Sequence, residues 1–98
     1  MDYKYFKPLA GHPDAHCGVR STNGGREGTL VSYDTDVLRW ARMDDGTLCI
    51  NVSGWYSVTT ARQIRWFIQE YFPRAVLAVE TLKASQLGTW VLIQEYDD

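Results

Sequence analysis

Two groups of residues in this chain have the types and spacing to do chemistry. The first is His12-Pro13-Asp14-Ala15-His16-Cys17 with Cys49 further on, which together offer the nitrogen and sulfur donors that tetrahedral zinc takes. Their spacing matches no established ligand pattern, and a turn-rich loop holding two histidines accounts for the same residues. A nucleophile built from Cys17 or Cys49 with His16 would need an orienting third group and an oxyanion site, and neither can be named. The second group is Ser57, Thr59 and Thr60 at the start of a helix, with Arg62 and Arg65 following. Unpaired backbone N–H groups and the positive end of the helix dipole can hold an anion there. Hydroxyl residues also cap helices without any ligand. Asp34 and Asp36 flank Thr35 and would share one face of a strand, where like charges repel. A solvent-facing edge suits them better than a catalytic pair. No active-site motif emerges, so the expectation is a non-enzymatic protein with no cofactor and no resident metal.

The element that positions the hydroxyl cluster is a helix. Ile64, Phe67, Ile68, Tyr71 and Phe72 recur at the spacing of a buried helical stripe. Thr60-Ala61-Arg62-Gln63 fits a capping box, with Thr60 as N-cap and Gln63 reaching back, and Pro73 stops the helix. Upstream, residues 29–43 read as extended, with a bend or bulge at Asp34. Asp45-Gly46 then signals a hairpin to Leu48–Val52. A two-residue turn would set Met43 opposite Leu48, Ala41 opposite Ile50 and Arg39 opposite Val52 on the core side. Trp40, Arg42 and Asn51 would then occupy the more polar face, and a one-residue slip would exchange the two.

Residues 2–6 could form a short edge strand, and about residues 7–28 collect enough glycine and proline for a long irregular loop. Val76 and Val79 favour a strand over 75–82 against a second helix, and Thr89–Tyr96 reads as the final strand. The expected fold is α+β: a small antiparallel sheet of about four or five strands, in ββαββ order, packed by one main helix within a single domain.

Composition narrows the function classes. The 98 residues are 45% hydrophobic and carry a net charge of −2, too apolar for disorder and too balanced for DNA mimicry or a general polyanion binder. No segment reaches the roughly 20 apolar residues of a membrane span. The first residues lack a signal-peptide core, so a cytoplasmic place with reduced thiols is expected. Seven of the ten basic residues are arginines, which suit stacked and bidentate contacts. Trp66 lies about 200° around the helix from Ile64, outside the stripe, between Arg62 and Glu70. Trp40 with Arg42 could form a similar patch. These residue types favour interaction hot spots.

Val31-Ser32-Tyr33-Asp34-Thr35-Asp36-Val37, followed by Trp55-Tyr56-Ser57-Val58-Thr59-Thr60-Ala61-Arg62-Gln63-Ile64, resembles a pattern in small bacteriophage and mobile-element proteins. There, a Ser-Tyr-x-Thr-x-Val strand precedes a Tyr-Ser-x-Thr-Thr-x-x-His-Ile helix start. The resemblance covers about residues 29–72, and Gln63 stands where the pattern often has histidine. It brings no established activity but implies a phage or prophage origin. Small phage domains without catalytic motifs commonly bind a host protein, and inhibitors of CRISPR–Cas systems are one prominent group. The implied role is inhibition of a host defence effector through Trp66, Arg62, Arg65, Trp40 and Arg42. The alternative is a nucleic-acid-binding accessory protein using Trp40, Arg39, Arg42, Arg62 and Arg65 for stacking and phosphate contacts. A small metal-dependent enzyme is the third possibility.

Overall fold

A computed structural model of the chain describes residues 7–9, 11, 16–22, 25–33, 35–54 and 58–95. The fold is α+β, an antiparallel sheet with helices on one face. The strands are β1 (Lys7–Pro8), β2 (Cys17–Thr22), β3 (Glu27–Ser32), β4 (Thr35–Arg42), β5 (Leu48–Val52) and β6 (Val91–Ile93). They neighbour one another in chain order, all antiparallel. Helices α1 (Val58–Tyr71) and α2 (Val76–Glu80) come between β5 and β6. The order is thus five strands, two helices and one strand, in place of ββαββ. Strands β1 and β2 arise inside the segment expected to be a long loop. Cys17 and Val19 alternate inward on β2, but Gly18 and the polar run Arg20-Ser21-Thr22 mask that pattern. The strand expected at residues 2–6 lies outside the described residues.

Register within the β4–β5 hairpin differs from the expectation by one residue. Arg42 faces Leu48, Trp40 faces Ile50 and Leu38 faces Val52. The cause is the turn, which takes three residues and not two. Met43 N–H donates to Thr47 O (2.8 Å), Gly46 N–H donates to Met43 O (2.9 Å), and Gly46 has φ +90°. A turn followed by a left-handed glycine is the three-residue hairpin loop, and it slips the partner strand by one. Hydrogen bonding from the Thr47 side chain, together with Thr47 N–H donating to Asp45 Oδ1 (2.9 Å), lowers the Asp45 carboxyl below its ordinary range. The two faces of β4 therefore exchange, while β5 keeps Leu48, Ile50 and Val52 inward and Asn51 outward as expected. Trp40 points inward and is 3% exposed, while Arg39, Ala41, Cys49 and Asn51 take the open face. Between β3 and β4 the chain reverses through Tyr33, where a bend in one continuous strand was expected; Asp34 itself lies outside the described residues.

Helix α1 buries Ile64, Phe67 and Ile68 completely, as its periodicity predicts, and ends at Tyr71 before Pro73. It starts at Val58, three residues earlier than the capping box requires, so Thr60 sits within the first turn and is not the N-cap. Residues 73–80 form a 3₁₀ turn and then α2, where a strand was favoured. Val76 and Val79 fit a helical i, i+3 pair as well as a strand, and packing against α1 decides. After α2 the chain returns to the sheet, and Gly88 N–H donates to Val52 O (2.7 Å) to set β6 beside β5. Among the described residues, no helix is long and apolar enough to cross a membrane.

Trp40 organises the core. Its ring packs against Phe67 (centroids 5.2 Å apart), Phe72 (5.8 Å) and Tyr71 (6.3 Å). On β3 the residue opposite is Gly28, where an added Cβ would lie 2.2 Å from Trp40 Cη2 and 2.7 Å from Arg20 O. Only glycine leaves room for the indole, whose Nε1–H donates to Gly25 O (3.3 Å). Trp40→Ala is expected to cost about 3–5 kcal/mol of unfolding free energy, as large-to-small core changes do. Gly28→Ala should destabilise by roughly 1–3 kcal/mol through overpacking. Urea denaturation of both variants measures this, and a Gly28→Ala protein as stable as wild type would contradict the packing described.

Candidate functional site

The two segments that carry the resemblance meet in space at one corner of the sheet. The β3–β4 turn supplies Ser32, Tyr33, Thr35 and Val37, and the first turn of α1 supplies Thr60; together they line an open cleft of about 330 Å³. Ser32 Oγ donates to Gln63 Oε1, and both residues are buried. A carboxamide oxygen accepts a hydrogen bond without taking a proton, so this contact orients Ser32 and does not activate it as a nucleophile. Gln63, expected in a capping box, is instead the buried link between helix and sheet. Tyr33 and His16 both have positive φ (48° and 55°), which is uncommon outside glycine. Their rings stack at 5.0 Å, and Tyr33 N–H donates to His16 O (3.0 Å), so each holds the other in place. Of the three hydroxyls expected to bind an anion, Thr60 lines this cleft, Thr59 is exposed, and Ser57 lies outside the described residues.

The remaining expected site residues scatter. Trp40 is in the core and presents no surface to a partner. Arg42 is half-buried, with its guanidinium 5.6 Å from the Phe72 ring centroid and bound to Glu95 (2.5 Å) and Gly46 O (2.9 Å). Arg65 pairs with Glu80 of α2 at 2.9 Å. Trp66 is half-buried and packs against the core, while its neighbour Arg62 is exposed. With Arg20–Asp36 and Arg26–Asp44, each at 2.9 Å, at least four of the seven arginines face carboxylates. The more exposed of these pairs add about 0–1 kcal/mol each, and all four neutralise charge that a phosphate backbone would seek.

The thiols do not share a site. Cys17 lies on the helix-covered face and Cys49 on the open face, so a centre using both is ruled out by the sheet between them. His16 is exposed against Tyr33, and His12 lies outside the described residues. Among the described residues no group of three or more His, Cys, Asp or Glu side chains converges on a metal-sized site.

On the open face of the sheet, where Trp40 and Arg42 were expected, sequence reasoning missed Trp90 and Leu92. Arg20, Thr29, Arg39 and Asn51 form one cross-strand row, and continuing the β5–β6 register by one residue brings Trp90 to its end. Leu92 stands beside Cys49 in the next row. Trp90 is 52% and Leu92 69% exposed, and Arg39 is exposed. The signal was present as Trp90-x-Leu92 alternation, but linking it to Arg39 needs the register of three strands. Comparison of the chain with protein-family models, with curated proteins and with solved structures finds no match.

Burial, with a smaller effect of Glu70, raises the Cys17 thiol from an ordinary 9.0 to about 11. The folded state therefore keeps its proton where the unfolded chain loses it. This contribution is full below pH 9 and is lost as pH rises from there through about 11. Thermal melts across that range should show wild type losing more stability than Cys17→Ala does; equal pH slopes would remove Cys17 from the alkaline transition. Gln63→Ala should cost about 1–3 kcal/mol by orphaning Ser32, and Ser32→Ala/Gln63→Leu less than the single changes summed.

Proposed function

We propose that this chain is a non-enzymatic protein of phage or mobile-element type that binds and inhibits a host defence effector in the host cytoplasm. A CRISPR–Cas complex is the leading partner, and the open face of the sheet is the contact surface. The observation that carries this reading is the exposed set Trp90, Leu92 and Arg39, which gives a partner an apolar centre with an arginine beside it. Tryptophan and arginine dominate interface energetics when a partner desolvates them. The resemblance of residues 29–72 to small phage proteins supplies the biological setting. Arg62 and the half-buried Trp66 form a secondary ridge on α1, and the Thr60 cleft a minor anion site.

The net charge of −2 and the four carboxylate-paired arginines favour a protein partner over a nucleic acid. Arg39 is on the face opposite α1, which carries Arg62 and Arg65, so these cations do not form one phosphate-tracking strip.

The test uses a bacterium with an active CRISPR–Cas system and a plasmid that the system targets. Expression of the wild-type chain should restore transformation, and Trp90→Ala/Arg39→Glu should reduce that effect roughly tenfold or more while the protein remains folded. Intact interference in the presence of abundant wild-type chain, with no binding to the purified effector, would end this reading. The nucleic-acid alternative makes a different demand: affinity for DNA that falls steeply with salt and is indifferent to Trp90.

A further inference from the structure

The two edges of the sheet differ. Edge strand β1 is two residues long and contains Pro8, whose nitrogen has no hydrogen to donate. Edge strand β6 is also short, at three residues, but Val91-Leu92-Ile93 has no proline, no lysine and no register shift against β5. Among the described residues β5 is its sole strand partner, so the far side of β6 offers unpaired backbone N–H and C=O groups.

We propose that β6 pairs with β6 of a second copy of this chain, antiparallel about a two-fold axis at Leu92, so that one sheet runs through a dimer. Self-complementarity argues for a second copy over a foreign strand. Pairing about Leu92 sets Val91 opposite the partner's Ile93 and Ile93 opposite the partner's Val91, both on the helix-covered face. The half-buried Val91 thereby joins a continuous apolar row. On the open face Leu92 meets the partner's Leu92, and Trp90 lies opposite the partner's Gln94. The one ionised side chain in residues 89–95 is Glu95, which Arg42 already neutralises and which would face Thr89. No like charges oppose one another anywhere along the pairing. This inference does not depend on the inhibitor reading.

Sedimentation equilibrium of the full chain, from low micromolar to several hundred micromolar, should show a reversible monomer–dimer equilibrium. Leu92→Lys should weaken it roughly tenfold or more, because two like charges would meet at the axis. Leu92 is mostly exposed, so melting should stay near that of wild type. Independently, Cys49→Ser/Leu92→Cys should give a disulfide-linked dimer on mild oxidation; Cys49 is removed because it faces position 92 within the same chain. A wild-type chain that stays monomeric over the whole range overturns the proposal. So does a dimer that neither responds to Leu92→Lys nor cross-links through position 92. A monomer that instead captures an added extended peptide along β6 assigns the edge to a foreign strand and also overturns it.

Discussion

The fit of the Trp40 indole over Gly28 is the constraint on which the rest of the structure depends. It requires a strand residue without a side chain on β3 and an inward-facing Trp40 on β4, and this admits one register for the pair. The same ring is the surface against which Phe67, Tyr71 and Phe72 pack, so it also fixes where α1 lies and where that helix ends. Arg42 then closes the cluster from the side, over Phe72 and bound to Glu95 beyond β6. One aromatic contact thereby joins the third strand to the last segment of the chain.

A second, polar tie acts at the other end of α1. Ser32 and Gln63 are buried together, and a buried donor–acceptor pair is costly to leave half made. The tie draws the β3–β4 turn against the first turn of the helix and produces the cleft that Thr60 and Thr35 line. The molecule thus separates its roles in space. Among the described residues the helix-covered face holds the apolar packing and most of the aromatic rings, whereas the opposite face holds cross-strand polar rows with a few exposed apolar side chains.

Much of this was legible from pattern alone, for definite reasons. A stripe such as Ile64, Phe67, Ile68 and Tyr71 has one solution, and a proline just past it has one effect. Asp45-Gly46 announced a reversal but not its length, and one extra residue in the loop turned Trp40 from an outward to an inward side chain. The burial of Trp40 was hidden because its receptor, Gly28, reads locally as a loop residue. Val76 and Val79 satisfied both helical and strand periods, so only packing on α1 could choose. The candidate surfaces were less visible still. Gln63 matched a local capping pattern better than a contact with Ser32 on a distant strand, and the Trp90–Arg39 row exists only once three strands are aligned.

The order of the strands has a consequence for how the chain acquires this shape. Strands β1 to β4 each pair with the next strand in the chain, so these contacts are local and can close early. The β5–β6 pairing alone must wait for both helices and the return segment that Gly88 pins to Val52. During synthesis from the N-terminus, the first five strands and α1 can collapse around Trp40 while β5 is still the provisional rim of the sheet. The last strand then acts as a late-fitting closure, and a chain arrested before Val91 would leave Leu48, Cys49 and Ile50 as its unpaired, aggregation-prone border.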